Sequence, residues 1–328
     1  MPYAWYSVGL RFILVDMSTH KLPARERRAA ARASAEEHDG ILSRARLREL
    51  GIDRNMVRRE IGAERWASHG NQTVAMHTGA LSELARRWNA VWEIGASVAA
   101  LDGVTALHHA GMSGFDEQTV HLSVKDTVEV EGVEGVKVHK VIRRVDAELV
   151  GSGIPRTRPA IAAVRAAHWA VSDRQAALLL VMPVQQRLCS GAHLLDAVAL
   201  IPGRNRRKFI HVVAHDVADG AHSLAGLDVV KACRERGLPE PTRQQIRRLP
   251  NGAAYLDVWW EEAALAVEVD GTGHLRGLQK VDDDLRQNEV QLGNDLVLRV
   301  GILGWRLVPN RYLDQVCVAY WSRRRRPS

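Results

Sequence analysis

Hydrophobic positions in the N-terminal part of the chain recur with helical spacing and are separated by turn residues. Ala24–His38 is rich in alanine, arginine and glutamate, which predicts a helix, and Asp39-Gly40 is a stop signal behind it. The pattern then predicts two short helices, Ser43–Leu50 and Arg54–Ile61, on either side of a tight turn at Gly51. Two short helices joined in this way are the outline of a helix-turn-helix.

Each short helix is preceded by a residue that can cap it. Ser43 and Asp53 carry side-chain oxygens that can accept hydrogen bonds from the first backbone N–H groups of a helix. Behind the second helix, the segment from Trp66 to Val74 has the turn residues Gly70-Asn71 at its centre. We expect this segment to form a β-hairpin, which would be the wing of a winged helix.

The middle of the chain mixes helical and strand periods. The pattern predicts a helix over Ser97–Ala110, strands over Val120–Val124 and Val136–Val141, and a helix capped by Thr157 with Pro159 in its first turn. No set of residues here is typical of a catalytic site. We interpret this region as a connector or a partner-binding surface.

Two strand-like runs near the C-terminus, Tyr255–Trp259 and Ala264–Gly271, are joined by a short turn. They carry three carboxylates, although strands are normally depleted in aspartate and, to a lesser degree, in glutamate. Alternation places Glu268 and Asp270 on one face of the second run, and antiparallel pairing would bring Asp257 beside that face. The neighbouring apolar residues make the second run look buried on both sides, where an unpartnered carboxylate would be costly.

Three converging carboxylates predict a site for Mg²⁺ or Mn²⁺, because hard cations prefer oxygen ligands. Such an ion would polarise a scissile phosphate and lower the pKa of a bound water. His274 would then act as general acid or base, or as a ligand. The alternative is that Asp270-Gly271 only forms a turn and that Glu268 is an ordinary solvent-facing residue.

Composition narrows the class of protein. A chain of 328 residues suggests two or three domains, and 46% hydrophobic with 25% charged residues is typical of a globular protein. No apolar run reaches the roughly 18 residues that span a bilayer, so no membrane association is expected. Met1–Val15 does not have the pattern of a signal peptide, and Met17 is an alternative start. Three distant cysteines indicate no disulfide framework, so we expect a reducing cytoplasm.

The net charge of +7 and the pI near 9.6 suit a nucleic-acid partner without proving one. On the second short helix Arg54, Arg58 and Arg59 fall near one face, where a recognition helix would meet DNA. The alternative is a small helical cap with a solvated arginine face.

A series of short motifs runs through the N-terminal segment: Asp39–Leu47, Leu50-Gly51-Ile52, Val57-Arg58-Arg59 and Arg65-Trp66. In these residues the segment resembles the winged-helix domain of AbiEi-type antitoxins, transcriptional regulators of bacterial toxin–antitoxin and phage-defence loci. The resemblance implies DNA as a partner and association with a toxin or another defence-system protein. It also implies DNA contacts from four arginines on the two helices, Arg44, Arg54, Arg58 and Arg59.

A second series covers the chain from Ser223 to the C-terminus: Gly237–Pro241, Leu256-Asp257-Val258, Val267–Gly271 with His274, Asp283–Asn288 and Val297–Val300. In this order and spacing the motifs resemble the endonuclease-like domain related to very-short-patch-repair nucleases, within the PD-(D/E)XK restriction-endonuclease-like superfamily.

This resemblance implies roles for individual residues. Asp257 and Glu268 match the first and second metal carboxylates, Asp270 stands in place of the usual lysine, and His274 matches the histidine of this branch. The following helix and strand supply a further matching set, made up of the acid–arginine pair and an arginine that would contact phosphate: Asp283, Arg286 and Arg299.

One departure from that family keeps two functions open. The first helix of the family usually carries a glutamate where this chain has Gly226. The first function is a metal-dependent DNA endonuclease or nickase, in phage defence or DNA repair, that the winged helix brings to DNA. The second is a non-catalytic transcriptional regulator or antitoxin-like protein that keeps the nuclease fold.

The expected architecture has four parts. Residues 1–24 are an N-terminal extension and residues 25–80 a winged helix-turn-helix. Residues 81–215 are an α+β connector, so that the fold class up to this point is α+β. Residues 216–328 are expected to be an α/β restriction-endonuclease-like domain.

Overall fold

The computed structural model describes residues 23–144, 146–219, 229–248, 254–270 and 297–324, and the helical positions 281, 284, 285 and 288. These residues form a mixed α/β structure with small sheets, in two compact units. One unit comprises the described residues up to Ala99 together with Val124–Lys140, and the other comprises Ala100–Ser123 and the described residues from Val141 onward. Three positions of the sequence analysis, Gly226, His274 and Arg286, lie outside the described residues, as does Asp283.

The first unit begins with helices and short strands in alternation. Its strands form an antiparallel sheet in the order β1–β3–β2, in which Ala75 pairs with both Ile41 and Ala67. The two short helices and the hairpin are therefore present as predicted. The elements are α1 (Ala24–Ala35), β1 (Ile41–Ser43), α2 (Arg44–Glu49), α3 (Arg54–Gly62), β2 (Ala67–Ser68), β3 (Thr73–Ala75) and α4 (Glu83–Ile94).

The predicted caps explain where α2 and α3 begin. Ser43 Oγ accepts a hydrogen bond from the Arg46 amide at 3.1 Å, and Asp53 Oδ1 accepts one from the Met56 amide at 2.7 Å. Each bond satisfies an N–H group that has no partner inside its helix. Between the helices Gly51 adopts a left-handed conformation with φ of 71°, which glycine reaches without strain.

A buried carboxylate fixes α3 against α1. Glu60 is 3% exposed, and its two oxygens accept hydrogen bonds from Arg28 on α1 at 3.0 Å and from Arg65 at 2.6 Å. The bonded Arg65, together with Arg28, holds the pKa of the Glu60 carboxyl below the ordinary glutamate value of 4.5, against the opposing effect of burial. The orientation of α3 therefore depends on an ion pair and not only on apolar packing.

The described residues from Ala100 onward form two further sheets and a set of helices. A small sheet has the strand order β4–β5–β6, and the C-terminal sheet has the order β10–β9–β8–β7. The strands are β4 (Ala100–Leu101), β5 (Val120–Lys125), β6 (Val136–Val141), β7 (Arg243–Arg248), β8 (Ala254–Trp260), β9 (Leu265–Asp270) and β10 (Val297–Gly301). The helices are α5 (Gly103–His109), α6 (Pro159–Trp169), α7 (Asp173–Gln185), α8 (Gly191–Leu200), α9 (Arg207–Asp219), α10 (Val229–Glu235), α11 (Ile302–Leu307) and α12 (Pro309–Arg323).

Two predictions in the middle region were wrong. The helix expected over Ser97–Ala110 begins only at Gly103, because Ala100 and Leu101 pair with β5 and Asp102 caps the helix through a 2.7 Å bond to the Gly103 amide. Thr157 does not cap α6; its hydroxyl donates to Asp102 at 2.8 Å instead. The strands predicted at β5 and β6 are confirmed.

The same Asp102 belongs to a buried ionic network. Arg165 on α6 donates to Asp102 at 2.9 Å and to Glu148 at 2.6 Å, and all three side chains are at most 5% exposed. A guanidinium between two carboxylates satisfies charges that would otherwise be costly to bury. The network connects the beginning of α5, the segment around Glu148 and the middle of α6.

Among the helices of the described residues, none is long and apolar enough to cross a membrane.

The Glu60 network makes a prediction about acid stability. Because the folded pKa is lowered, the stabilisation is complete above pH 4.5, the unfolded value, and is lost as the pH falls through the folded pKa. Replacing Glu60 with glutamine should lower the free energy of unfolding of this unit by about 2 kcal/mol at neutral pH and flatten the loss below pH 4.5. Denaturant titration at several pH values measures both effects.

Glu49→Gln is the matched control, since Glu49 is exposed and its 2.7 Å ion pair with Arg46 on α2 lies at the surface. It should cost at most about 0.5 kcal/mol and leave the acid limb unchanged. Equal losses in the two variants would contradict the structural role of Glu60.

Candidate functional site

The hairpin of β8 and β9, which carries Asp257, Glu268 and Asp270, forms the centre of the C-terminal sheet. β8 and β9 pair antiparallel around a short 3-10 turn, Glu261–Ala263, as predicted from the sequence. β7 adds antiparallel to β8 on one side, and β10 adds parallel to β9 on the other. The carboxylate positions thus lie on the two central strands of the sheet, not on an edge strand.

β9 is buried on one side only. Leu265, Val267 and Val269 are at most 1% exposed, whereas the alternate positions Ala266 and Glu268 are partly exposed. The expectation that this strand is buried on both sides was therefore wrong. On such a strand Glu268 needs no buried partner, since its face is accessible to water.

The register brings the three carboxylate positions to that accessible face. Asp257 pairs directly with Glu268, and Tyr255 pairs directly with Asp270. Residues directly opposite each other in a sheet share a face and lie about 5 Å apart at Cβ. We call the positions Asp257, Glu268 and Asp270, together with Arg299, which pairs with Glu268 from β10, the acidic face.

Arg299 supplies a positive charge to the acidic face. Its Nε lies 3.7 Å from Glu268 Oε2, and both side chains are partly exposed. The exposed position of Arg299 on β10 follows from the same alternation, since Leu298 and Val300 on either side of it are buried. One guanidinium therefore balances part of the negative charge of the face.

Asn288 holds the backbone of Arg299. The Asn288 side chain is fully buried, and it accepts from the Arg299 amide at 2.9 Å and donates to the Arg299 carbonyl at 2.7 Å. Because β10 is at the edge of the sheet, these are the two groups that a further strand would otherwise pair. A donor bond to Gln315 at 3.2 Å orients the amide. The position of Arg299 beside Glu268 is thus fixed from both sides.

The donor chemistry of the acidic face fits a hard divalent cation. Carboxylate oxygens are the ligands that Mg²⁺ and Mn²⁺ prefer. Among the side chains that the structure describes, no group of three or more histidine, cysteine, aspartate or glutamate residues could hold a metal. For Asp257 and Asp270 the structure describes the strand register, and this places them on the face with Glu268.

The first unit contains a basic groove between the helices and the hairpin. It has a volume of about 380 Å³ and is open to solvent. Polar side chains and an apolar floor line it: Arg44, Arg48, Arg54, Asn71, Gln72, Leu47, Ile52 and Val57. We call this the basic groove. Arg58 and Arg59 are exposed on α3 in addition.

Arg44 has a structural part in this groove. Its Nε donates to the Asn71 carbonyl and its Nη2 to Ser68 Oγ, both at 3.0 Å. Arg44 therefore joins α2 to the hairpin loop, whereas Arg54, Arg58 and Arg59 extend from α3 into solvent. Sequence reasoning missed Arg48, although it lies one helical turn after Arg44, and it missed the side chains Asn71 and Gln72.

Comparisons with known proteins do not assign the chain to a family. No protein-family model matches the chain, and a search of curated proteins gives no significant match.

The two hydrogen bonds from the Asn288 side chain to the Arg299 backbone should contribute measurably to stability. Asn288→Ala removes both bonds to the Arg299 backbone and should lower the free energy of unfolding by about 2–3 kcal/mol. It should also speed hydrogen exchange at the Arg299 amide, as measured by mass spectrometry or NMR. Asn310→Ala is the control, since Asn310 is exposed and bonds only a surface arginine, Arg236, at 2.8 Å among its described contacts. Unchanged exchange at Arg299 in the first variant would contradict the assignment.

Proposed function

We propose that the protein binds duplex DNA through its first unit and hydrolyses phosphodiester bonds at the acidic face with the help of a divalent metal ion. The observation that carries the hydrolytic part is the strand register, which gathers Asp257, Glu268 and Asp270 on one accessible face beside Arg299. Carboxylate positions beside a guanidinium suit a substrate that carries negative charge and needs a metal ion to neutralise it.

The first unit supports DNA binding through its element order and its charge. The succession α1, β1, α2, α3, β2, β3, with the sheet order β1–β3–β2, supports the proposal of a winged helix. In such proteins the second helix of the helix-turn-helix lies in the major groove. Here that helix is α3, which exposes Arg54, Arg58 and Arg59. The basic groove beside it suits the sugar-phosphate backbone.

At the acidic face, Asp257, Glu268 and Asp270 would hold Mg²⁺ or Mn²⁺. When bound, such an ion supplies an activated water and stabilises charge on the phosphate. Arg299 binds and orients the phosphate group, to which guanidinium geometry is well matched. His274 as acid or base and Arg286 as a further DNA contact remain proposals from the sequence.

One observation favours a second function. Glu268 is already balanced by Arg299 at 3.7 Å, so this face is partly neutralised by the chain itself. A non-catalytic DNA-binding regulator, with the antitoxin-like partner that the sequence resemblance implies, would need nothing more from it. The two functions differ in whether the acids are required for strand cleavage.

Nicking of supercoiled plasmid in the presence of Mg²⁺ or Mn²⁺ tests the hydrolytic proposal. Asp257→Ala and Glu268→Gln should each lower the rate on the order of a thousandfold, because metal-binding carboxylates act as a unit. Glu261→Gln, in the exposed turn of the same hairpin, should cut like wild type. An intact plasmid with all variants favours the regulator, and equal cutting by all of them places the activity outside the acidic face.

The DNA proposal has its own test in a binding titration. Arg58→Ala should weaken duplex binding about tenfold and reduce its salt dependence if the arginine meets phosphate. Arg32→Ala removes the same charge from an exposed position on α1 and should change affinity much less. Equal effects of the two substitutions would show that net charge alone matters and would count against α3 as the recognition helix.

A further inference from the structure

The hairpin loop beside the basic groove is bound by an acidic residue, Glu93, at the end of α4. One Glu93 oxygen accepts a hydrogen bond from the Asn71 amide at 2.7 Å. The other accepts from the Gln72 amide at 2.8 Å and from the Thr73 hydroxyl at 2.9 Å. A carboxylate that accepts from successive backbone N–H groups makes charge-assisted bonds, which are stronger than neutral ones.

The opposite side of the loop is held by Arg44. Its guanidinium binds the Asn71 carbonyl and Ser68, so the loop lies between a cation on its acceptors and an anion on its donors. Gly70 makes the close approach of Glu93 possible. Its φ is 95°, and a Cβ there would lie 2.6 Å from the Glu93 carboxylate.

We propose that Glu93 is a positioning residue of the DNA-binding surface. It fixes the loop so that the side chains of Asn71 and Gln72 line the basic groove together with Arg44. This inference rests on the proposed DNA binding of the first unit, and it assigns a role to a residue that has the same charge as the ligand.

The sign of the charge makes the inference testable. A carboxylate close to the groove repels phosphate, so its removal should strengthen DNA binding if only the overall field mattered. If Glu93 instead organises the loop, its removal should weaken binding although it makes the surface more positive. The two explanations therefore predict opposite changes in affinity.

Glu93→Gln should weaken duplex binding about tenfold, which corresponds to the loss of one or two charge-assisted hydrogen bonds. The matched control is Glu83→Gln on the same helix, where Glu83 is exposed and pairs with Arg87 at 2.8 Å on the surface. The control should bind as tightly as wild type or slightly more tightly. Affinity in Glu93→Gln that equals or exceeds wild type would overturn the inference.

Gly70→Ala disrupts the same contact without a change of charge, because the added methyl group would clash with the Glu93 carboxylate. Gly70→Ala should also weaken duplex binding. It therefore tests the role of Glu93 even if Glu93→Gln does not fold. Wild-type affinity in a folded Gly70→Ala variant would also overturn the inference. Circular dichroism verifies that each variant is folded.

Hydrogen exchange at the Asn71 and Gln72 amides separates this inference from the proposed function. Faster exchange in Glu93→Gln than in Glu83→Gln is expected whether or not DNA is present, and unchanged exchange would overturn the inference. If loop exchange is faster in Glu93→Gln but the wild-type protein binds no duplex, the DNA proposal fails and the loop contact is a structural one. If wild type binds DNA and only the Glu93 effect is missing, the DNA proposal stands alone.

Discussion

A carboxylate withdrawn from water must be matched by a cation or by N–H donors, and much of this structure is organised around that requirement. In the first unit Glu60 meets Arg28 and Arg65, which sets α3 against α1. In the second unit Arg165 lies between two buried acids and joins α5 to α6. Apolar packing would permit many small rotations of a helix, whereas bonds of this geometry permit few. The charged contacts therefore restrict the orientation of α3 against α1 and of α5 against α6.

The two surfaces with proposed functions use acids in different ways. Glu93 is saturated by three donors of the hairpin loop, so its role is to hold that loop in place. Glu268 is on an accessible face and its contact to Arg299 is long, at 3.7 Å, so an external cation can still reach it. The number of close internal bonds at an acid thus separates an acid that supports a surface from one that is available for chemistry.

Local signals in the sequence were sufficient for much of the fold. Ser43 and Asp53 cap their helices as expected because a cap depends only on residues three positions away. The hairpin of β8 and β9 follows from alternation and a short turn in the same way. The interpretation of β9 as buried on both sides failed at Ala266, a small residue that is counted as apolar but is compatible with a half-exposed face.

Contacts between distant residues could not be predicted from these patterns. Asp102 attracts Thr157, more than fifty residues away, which removed the expected cap of α6. Glu93 lies about twenty residues from the loop that it binds, and nothing in the spacing of α4 indicates that partner. The pairing of Asp257 with Glu268 was conditional on strand pairing, and its register became known only from the folded chain. The assignment of metal and DNA roles to individual residues remains a prediction.

The buried amide of Asn288 has a consequence for assembly. An edge strand normally presents unpaired N–H and C=O groups that can recruit a strand from another molecule. At Arg299 both groups are already taken by a side chain of the same molecule. A foreign strand would have to displace a buried amide before it could extend the sheet past this residue, so growth of the sheet from one copy into the next is blocked at the position where the acidic face needs its guanidinium.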